Sequence, residues 1–141
     1  MASQGSAPSI LIDLQRAAHR TLHALANDLT GLEITAAEMN VLANLGDGAP
    51  RSVRELSVDT GTKPTTLTSV LDRLERHGYL ARELDATDRR SFRITLTSAG
   101  RRAAADVRRA VSRIERTALR HVTERDLSGY RAVLAALLEV H

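Results

Sequence analysis

Between residues 62 and 98 the hydrophobic period of this 141-residue chain changes twice. Leu67, Val70, Leu71 and Leu74 recur at helical spacing. Leu80, Arg82 and Leu84 then alternate with Ala81, Glu83 and Asp85, and Phe92, Ile94 and Leu96 alternate with Arg93, Thr95 and Thr97. A period near 3.6 marks one face of a helix, and a period of two marks a half-buried strand. The polar stretch Asp85-Ala-Thr-Asp-Arg-Arg90 between the alternating runs predicts a β-hairpin with a charged tip. Beyond it Val107, Val111, Ile114 and Ala118 return to the helical period. A helix that runs into a short hairpin and out into a second helix leaves few small architectures open.

Upstream of the hairpin the punctuation is dense. Thr35-Ala-Ala-Glu38 reads as a complete capping box, opening a helix through Val41, Leu42 and Leu45 to Gly46. Residues 46–50, GDGAP, end it as a turn. Ser52-Val-Arg-Glu55 is a second box, opening a short helix that Gly61 breaks. Thr62 is expected to cap the next helix, with Pro64 tolerated in its first turn. Two short helices joined by Thr60-Gly61-Thr62 read as a helix-turn-helix.

The ends of the chain also read as helices. Leu11, Leu14, Ala18, Leu22, Leu25 and Leu29 form one stripe, with a weaker one of Ile12, His19, His23 and Ala26 beside it. Thr97 or Ser98 caps a long Ala- and Arg-rich helix from about 99 to 121. Thr123-Glu-Arg-Asp126 then opens a last helix bearing Leu127, Tyr130, Leu134, Leu137 and Leu138. The expected class is mainly α with a small β-hairpin wing: a winged helix-turn-helix with helices added at both ends.

Composition removes several chemistries. There is no Cys, hence no disulfide, thiolate metal site, thiol nucleophile or thiol redox switch. With aromatics at 2%, a base-stacking surface for single strands is not expected. No phosphate loop, nucleophile elbow or HExxH motif occurs, so no catalytic constellation, cofactor or metal site is expected. His19 and His23 stand at i, i+4, but two ligands without a third do not make a zinc site. No signal peptide or membrane span is legible, and a cytoplasmic protein is expected.

What remains is a basic chain, 20 Lys and Arg against 17 Asp and Glu, in which Lys63 is the one lysine. Arg forks suit phosphates and guanine edges, so the balance favours a polyanionic partner. On a helical wheel Thr65, Ser69, Asp72 and Arg76 face away from the apolar side, flanked by Thr62, Thr66, Thr68 and Arg73. Threonine is a mediocre helix former, so propensity does not explain four of them here. Short hydroxyls at a helix N-terminus suit base edges, thymine methyls and phosphate oxygens in a major groove. Asp88, Arg89 and Arg90 occupy the hairpin tip. Asp88 stands where it can orient the Arg90 guanidinium, and an Arg on a protruding hairpin can enter a narrow minor groove.

The stretch from Thr62 through Asp-Arg-Leu-Glu75, Gly78-Tyr-Leu80, Asp85-Ala-Thr-Asp-Arg-Arg90 and Leu96-Thr-Ser-Ala-Gly100 resembles the MarR (multiple antibiotic resistance regulator) family of bacterial transcription factors. The resemblance spans about residues 10–140. It implies a homodimer with interleaved terminal helices, placing two winged helices on a pseudo-palindromic double-stranded DNA operator. Residues 1–9 read as a disordered lead-in. The resemblance implies 10–141 as one domain, with 10–29 and 99–141 as dimerisation helices around a winged helix-turn-helix at 35–98.

The DNA-contacting set expected is Thr62, Lys63, Thr65, Thr66, Thr68, Ser69, Arg73, Arg76, Asp88, Arg89 and Arg90. Ser69 departs from the family pattern, in which Arg is common there. The family also implies a small aromatic or anionic effector between the dimerisation helices and the DNA-binding lobe; in this chain His19, His23 and Arg16 or Arg20 are the candidate contacts there. The favoured reading is a ligand-responsive repressor. The alternatives are a zinc-responsive regulator using His19 and His23, and a dimeric scaffold that does not bind DNA.

Overall fold

A computed structural model describes residues 8–140. The expected lead-in lies outside them except for Pro8 and Ser9, and Ser9 caps the first helix by accepting from Ile12 N. The elements are α1 (Ile10–Asp28), α2 (Ala36–Leu45), β1 (Arg51–Ser52), α3 (Val53–Thr60), α4 (Pro64–Arg76), β2 (Leu80–Leu84), β3 (Phe92–Leu96), α5 (Ser98–Ala118) and α6 (Glu124–Leu138). Every expected element is present. One was not foreseen: β1 makes the expected two-stranded hairpin a three-stranded antiparallel sheet in the order β1-β3-β2.

The core lies where α2, α3 and α4 meet the sheet and the start of α5. Leu42, Leu45, Leu56, Leu67, Leu71, Leu74 and Ile94 are fully buried there. The inward face expected of the fourth helix, Leu67, Val70, Leu71 and Leu74, is the buried one. Each such side chain stabilises the fold by roughly 2 kcal/mol relative to exposure. α5 docks on α2 through Ala103, Ala104, Val107 and Ala110, residues small enough to bring the two backbones close.

Two joints fix the helix-turn-helix and the hairpin. Gly61 closes α3 in the left-handed region at φ 66°, which glycine adopts without a Cβ penalty. At Gly100, a Cβ would stand 1.7 Å from the Tyr79 carbonyl oxygen, so the first turn of α5 can pass the entry to β2 only as glycine.

The capping expectations divide. Ser52–Glu55 and Thr123–Asp126 are complete reciprocal boxes. Thr35 accepts from Glu38 N at 3.2 Å, but the Glu38 carboxylate turns inward to Arg73 and leaves that box half made. Thr62 is not the cap of α4. Lys63 holds the N-cap position without a side-chain bond, Pro64 is the first helical residue, and the Thr62 carbonyl accepts from Ser57 Oγ at 2.7 Å. Proline at N1 has no N–H to leave orphaned, which lessens the need for a capping side chain.

The terminal helices are uncovered. No residue of α1 or α6 is buried, although the apolar stripes stand where the period placed them. Leu11 is 55% exposed, Tyr130 51% and Leu138 83%.

Candidate nucleic-acid interface

α4 carries its apolar side into the core, so its opposite side is presented to solvent by geometry alone. Lys63, Thr65, Thr66, Thr68, Ser69, Asp72 and Arg76 are exposed, while Thr62 and Arg73 are half-buried. Thr68 Oγ1 donates to the Pro64 carbonyl and Ser69 Oγ to that of Thr66, each at 2.9 Å. Each hydroxyl proton is thereby used within the helix. The exposed oxygens keep lone pairs to accept with, and hydroxyls and methyls of this kind suit base amino groups and thymine methyls in a major groove.

Arg73 is placed differently from its neighbours. Its Nε donates to Glu38 Oε1 at 2.9 Å, tying the recognition-type helix to α2. Glu38 is 2% exposed, and its Oε2 is buried without a partner among the described residues. Sequence reading took Glu38 for a capping residue only. Its burial needs the tertiary fold to be seen.

At the wing tip, Asp88 accepts from the backbone N–H of Arg90 at 3.0 Å, and its carbonyl accepts from Ser91 N. Asp88 therefore shapes the turn through the Arg90 backbone, where an orienting contact to its guanidinium was expected. Arg89 and Arg90 are exposed and enter no ion pair among the described residues, so both guanidiniums are available to an external anion. Below the tip, Leu84 and Phe92 face each other across the ladder, 64% and 47% exposed.

Sequence reading missed the anchors of this assembly. Arg82 of β2 is ion-paired to Asp72 and Glu75 of α4, and Arg93 of β3 to Asp85 and Glu55. Their signal was present as charges within the alternating strands, but no partner was assigned to either.

Away from this face, α1, α2 and α5 enclose an open crevice of about 350 Å³, lined by Leu22, Leu25, Met39, Asn40, Val107 and Val111 among others. His19 and His23 are exposed on α1 with ring centroids 6.3 Å apart and do not line it, nor do Arg16 and Arg20. Among the described residues no group of three or more His, Cys, Asp or Glu is gathered as a metal would require. No helix there is long and apolar enough to cross a membrane.

A helix-turn-helix with a hydroxyl-rich outward helix, followed by an arginine-tipped hairpin, defines a winged helix-turn-helix protein. The MarR family model matches residues 30–91, the span from just before α2 to the wing tip. Residues 30–91 are thus similar to the MarR family of transcription regulators. An HTH-type transcriptional regulator of Bacillus subtilis, YcgE, is 35% identical over 83 residues; the match takes in 59% of this chain and 54% of that protein. The chain thus spans about half the length of the curated relative it matches.

Among solved structures, a MarR-family transcriptional regulator from Silicibacter pomeroyi is 26% identical, with 91% of this chain and 88% of that one aligned at a TM-score of 0.75. CouR from Rhodococcus jostii RHA1, solved bound to p-coumaroyl-CoA, aligns over 99% and 98% at a TM-score of 0.85 and 23% identity, a likeness of fold.

Proposed function

We propose that this chain is a sequence-specific double-stranded DNA-binding transcription regulator that acts in the cytoplasm as a homodimer. In this reading it is a ligand-responsive repressor on a pseudo-palindromic operator. The carrying observation is the union of two exposed features on one lobe: the Thr/Ser face of α4 and the unpaired Arg89 and Arg90 of the wing. The helix enters a major groove, where Thr65, Thr66 and Ser69 meet base edges and Thr62, Lys63, Thr68 and Arg76 meet phosphates or outer bases. Arg73 supports the helix from behind through Glu38 and keeps its outer nitrogens for the backbone. Arg90 enters the adjoining minor groove, with Arg89 on the flanking phosphates and Asp88 holding the turn. Helix and wing together suit one half-site, and a two-fold dimer places two half-sites about one helical turn, roughly 10 bp, or a multiple apart.

The uncovered faces of α1 and α6 support the dimer, since a lone chain leaves both unburied. The crevice between α1, α2 and α5 supports an effector whose buried part is aromatic or aliphatic, since its lining is apolar apart from Asn40. CouR, with its p-coumaroyl-CoA, is a solved protein of this fold with an aromatic ligand. The zinc-responsive alternative has only the exposed His19–His23 pair on its side.

Selection of bound duplexes from random DNA, followed by fluorescence anisotropy at several salt concentrations, tests the reading. Arg89→Ala and Arg90→Ala are each expected to lower the slope of log affinity against log salt by about one for every phosphate no longer neutralised. Unchanged affinity and slope in both variants would remove the wing from the interface. No duplex binding at all by the unaltered chain would favour the scaffold.

A further inference from the structure

The wing is anchored at its root by two arginines on opposite faces of the hairpin, and neither belongs to the set expected to touch DNA. Arg82 pairs across the ladder with Ile94, and Glu83 with Arg93, so Arg82 and Arg93 point to different sides. Arg82 reaches the recognition helix: Nη2 donates to Asp72 Oδ1 at 2.6 Å, and Nη1 lies 3.3 Å from Glu75 Oε2. Arg93 reaches the other way. Its Nε donates to Asp85 Oδ2 at 3.1 Å and its Nη1 to Glu55 Oε2 at 3.4 Å.

The two carboxylates that Arg93 joins are themselves fixed. Glu55 Oε2 also accepts the Ser52 backbone N–H at 2.7 Å, which pins it to the first turn of α3. Asp85 Oδ1 accepts both the N–H and the hydroxyl of Thr87, at 2.9 and 2.7 Å, which pins it to the start of the wing tip. Hydrogen bonds from the Ser52 N–H hold the Glu55 carboxyl below its ordinary range, and those from Thr87 do the same for Asp85, with Arg93 adding to both. Both carboxylates are therefore charged at neutral pH. One guanidinium thus links the N-terminus of α3 to the loop that carries Arg89 and Arg90.

We propose that Arg93 is a positioning residue for DNA binding: by bridging Glu55 and Asp85 it fixes the angle at which the wing tip presents Arg90 beside the recognition helix. This rests on the DNA-binding reading above. Without the bridge the hairpin keeps its backbone ladder and the buried Leu80 and Ile94, so it stays folded while its tip swings. The Arg93–Glu55 pair is exposed and the Arg93–Asp85 pair half-buried, and pairs reached by solvent contribute little to global stability, so the damage falls mainly on geometry rather than folding.

The test uses the full chain and two measurements. The sequence has no cysteine, so spin labels attach only at introduced Val58→Cys on α3 and Ala86→Cys at the wing tip, both exposed positions. In Arg93→Met the label-to-label distance distribution is expected to broaden. Affinity for a selected duplex is expected to fall about tenfold with the salt slope unchanged, because the same phosphates stay neutralised. Arg93→Lys, a single point charge without the fork, is expected to fall between the two. Glu55→Gln keeps an oxygen for the Ser52 N–H but removes the charge, and is expected to broaden the distribution as well.

An unchanged distribution in both Arg93→Met and Glu55→Gln overturns the proposal. A salt slope lower by about one in Arg93→Met also overturns it, by placing Arg93 directly on a phosphate. If the unaltered chain binds duplex and Arg93→Met binds equally well, the positioning role fails while the DNA-binding reading stands. If the unaltered chain binds none, both fail.

Discussion

Glu38 on α2 and Arg73 on α4, 35 positions apart in sequence, meet through a 2.9 Å hydrogen bond whose two ends differ sharply in exposure. The carboxylate side chain is 2% exposed and the arginine side chain 40%. Breaking such a pair is costly where it strands a buried charge and mild where the survivor can rehydrate. Arg73→Ala strands Glu38 and is expected to cost about 3 kcal/mol or more. Glu38→Gln leaves Arg73 an oxygen to bond and water to reach, and is expected to cost about 1 kcal/mol. Urea unfolding of the two variants checks the order. Equal costs would mean that the Glu38 pocket hydrates when opened.

A second expectation concerns Gly100. The Cβ of Gly100→Ala would meet the oxygen and carbon of the Tyr79 carbonyl at 1.7 and 2.8 Å, backbone atoms that no rotamer change can move aside. That carbonyl also accepts from Thr97 N at 3.1 Å. Overpacking against a fixed backbone costs roughly 1–3 kcal/mol, and the upper end is expected here. Thermal unfolding measures it. A shift of less than about a degree, well under the several degrees that such a cost brings to a domain of this size, would show that α5 slides freely along the hairpin.

For the recognition helix, Thr65→Ala and Ser69→Ala are expected to relax base preference at particular positions, by roughly 1–3 kcal/mol for each base-edge interaction removed. Affinity for unrelated sequences should hardly change. Repeating the duplex selection with each variant reads this directly. If both return the unaltered motif at unaltered affinity, another surface reads the operator.

The terminal helices lead to an assembly expectation. Tyr130, Val133 and Leu138 on α6 and Ile10, Leu11 and Leu22 on α1 are too much exposed apolar surface for a stable lone chain. Sedimentation is expected to give a dimer at micromolar concentration for the whole chain. A chain ending before Thr123 is expected to be monomeric or to aggregate. A folded full-length monomer would refute the interface.

Acid sensitivity follows from the caps. The Asp126 carboxyl is held below its ordinary value of 3.8, first by the Thr123 hydroxyl and then by the Thr123 backbone N–H. Ser52 does the same for Glu55 through its N–H, and the Arg51 side chain for Asp47. A folded value below the unfolded one means that the unfolded chain binds more protons as pH drops. Stability from these groups is therefore complete above the ordinary carboxylate range and is lost as pH falls through and below it. Thr123→Ala should bring Asp126 closer to its ordinary value and make that acid loss shallower. Stability measured by urea at a series of pH values between about 2 and 6 checks the sign.

Much of the fold was legible because its signals are local. Ser52–Glu55 and Thr123–Asp126 lie within one turn of helix, and both boxes form as spelled. The alternation through Leu80–Leu84 and Phe92–Leu96 gave the hairpin its strands. What escaped depends on contacts between distant segments. Glu38 belongs to a box by spacing and to Arg73 by packing, and packing wins. β1 is two residues long and is a strand only because Arg51 and Ser52 meet Ile94 and Arg93. Arg82 and Arg93 look like solvated strand positions until the elements that face them are in place. The outward set of α4 was readable because burial of Leu67, Leu71 and Leu74 fixes the opposite side. The inner side of α1 packs on the same chain through Leu25, while most of α1 and α6 stays exposed.

Ser52 serves twice, as a residue of β1 paired with Arg93 and as the cap whose oxygen holds the first turn of α3. Pulling β1 from the edge of β3 therefore also loosens the start of the helix-turn-helix. The wing is not an appendage that frays independently. Amide hydrogens of β3 and of α3 should exchange with solvent in one cooperative step, at one opening free energy. Under the proposed DNA-binding reading, a sliding encounter with nonspecific DNA then meets a single rigid head, already set before the cognate sequence arrives.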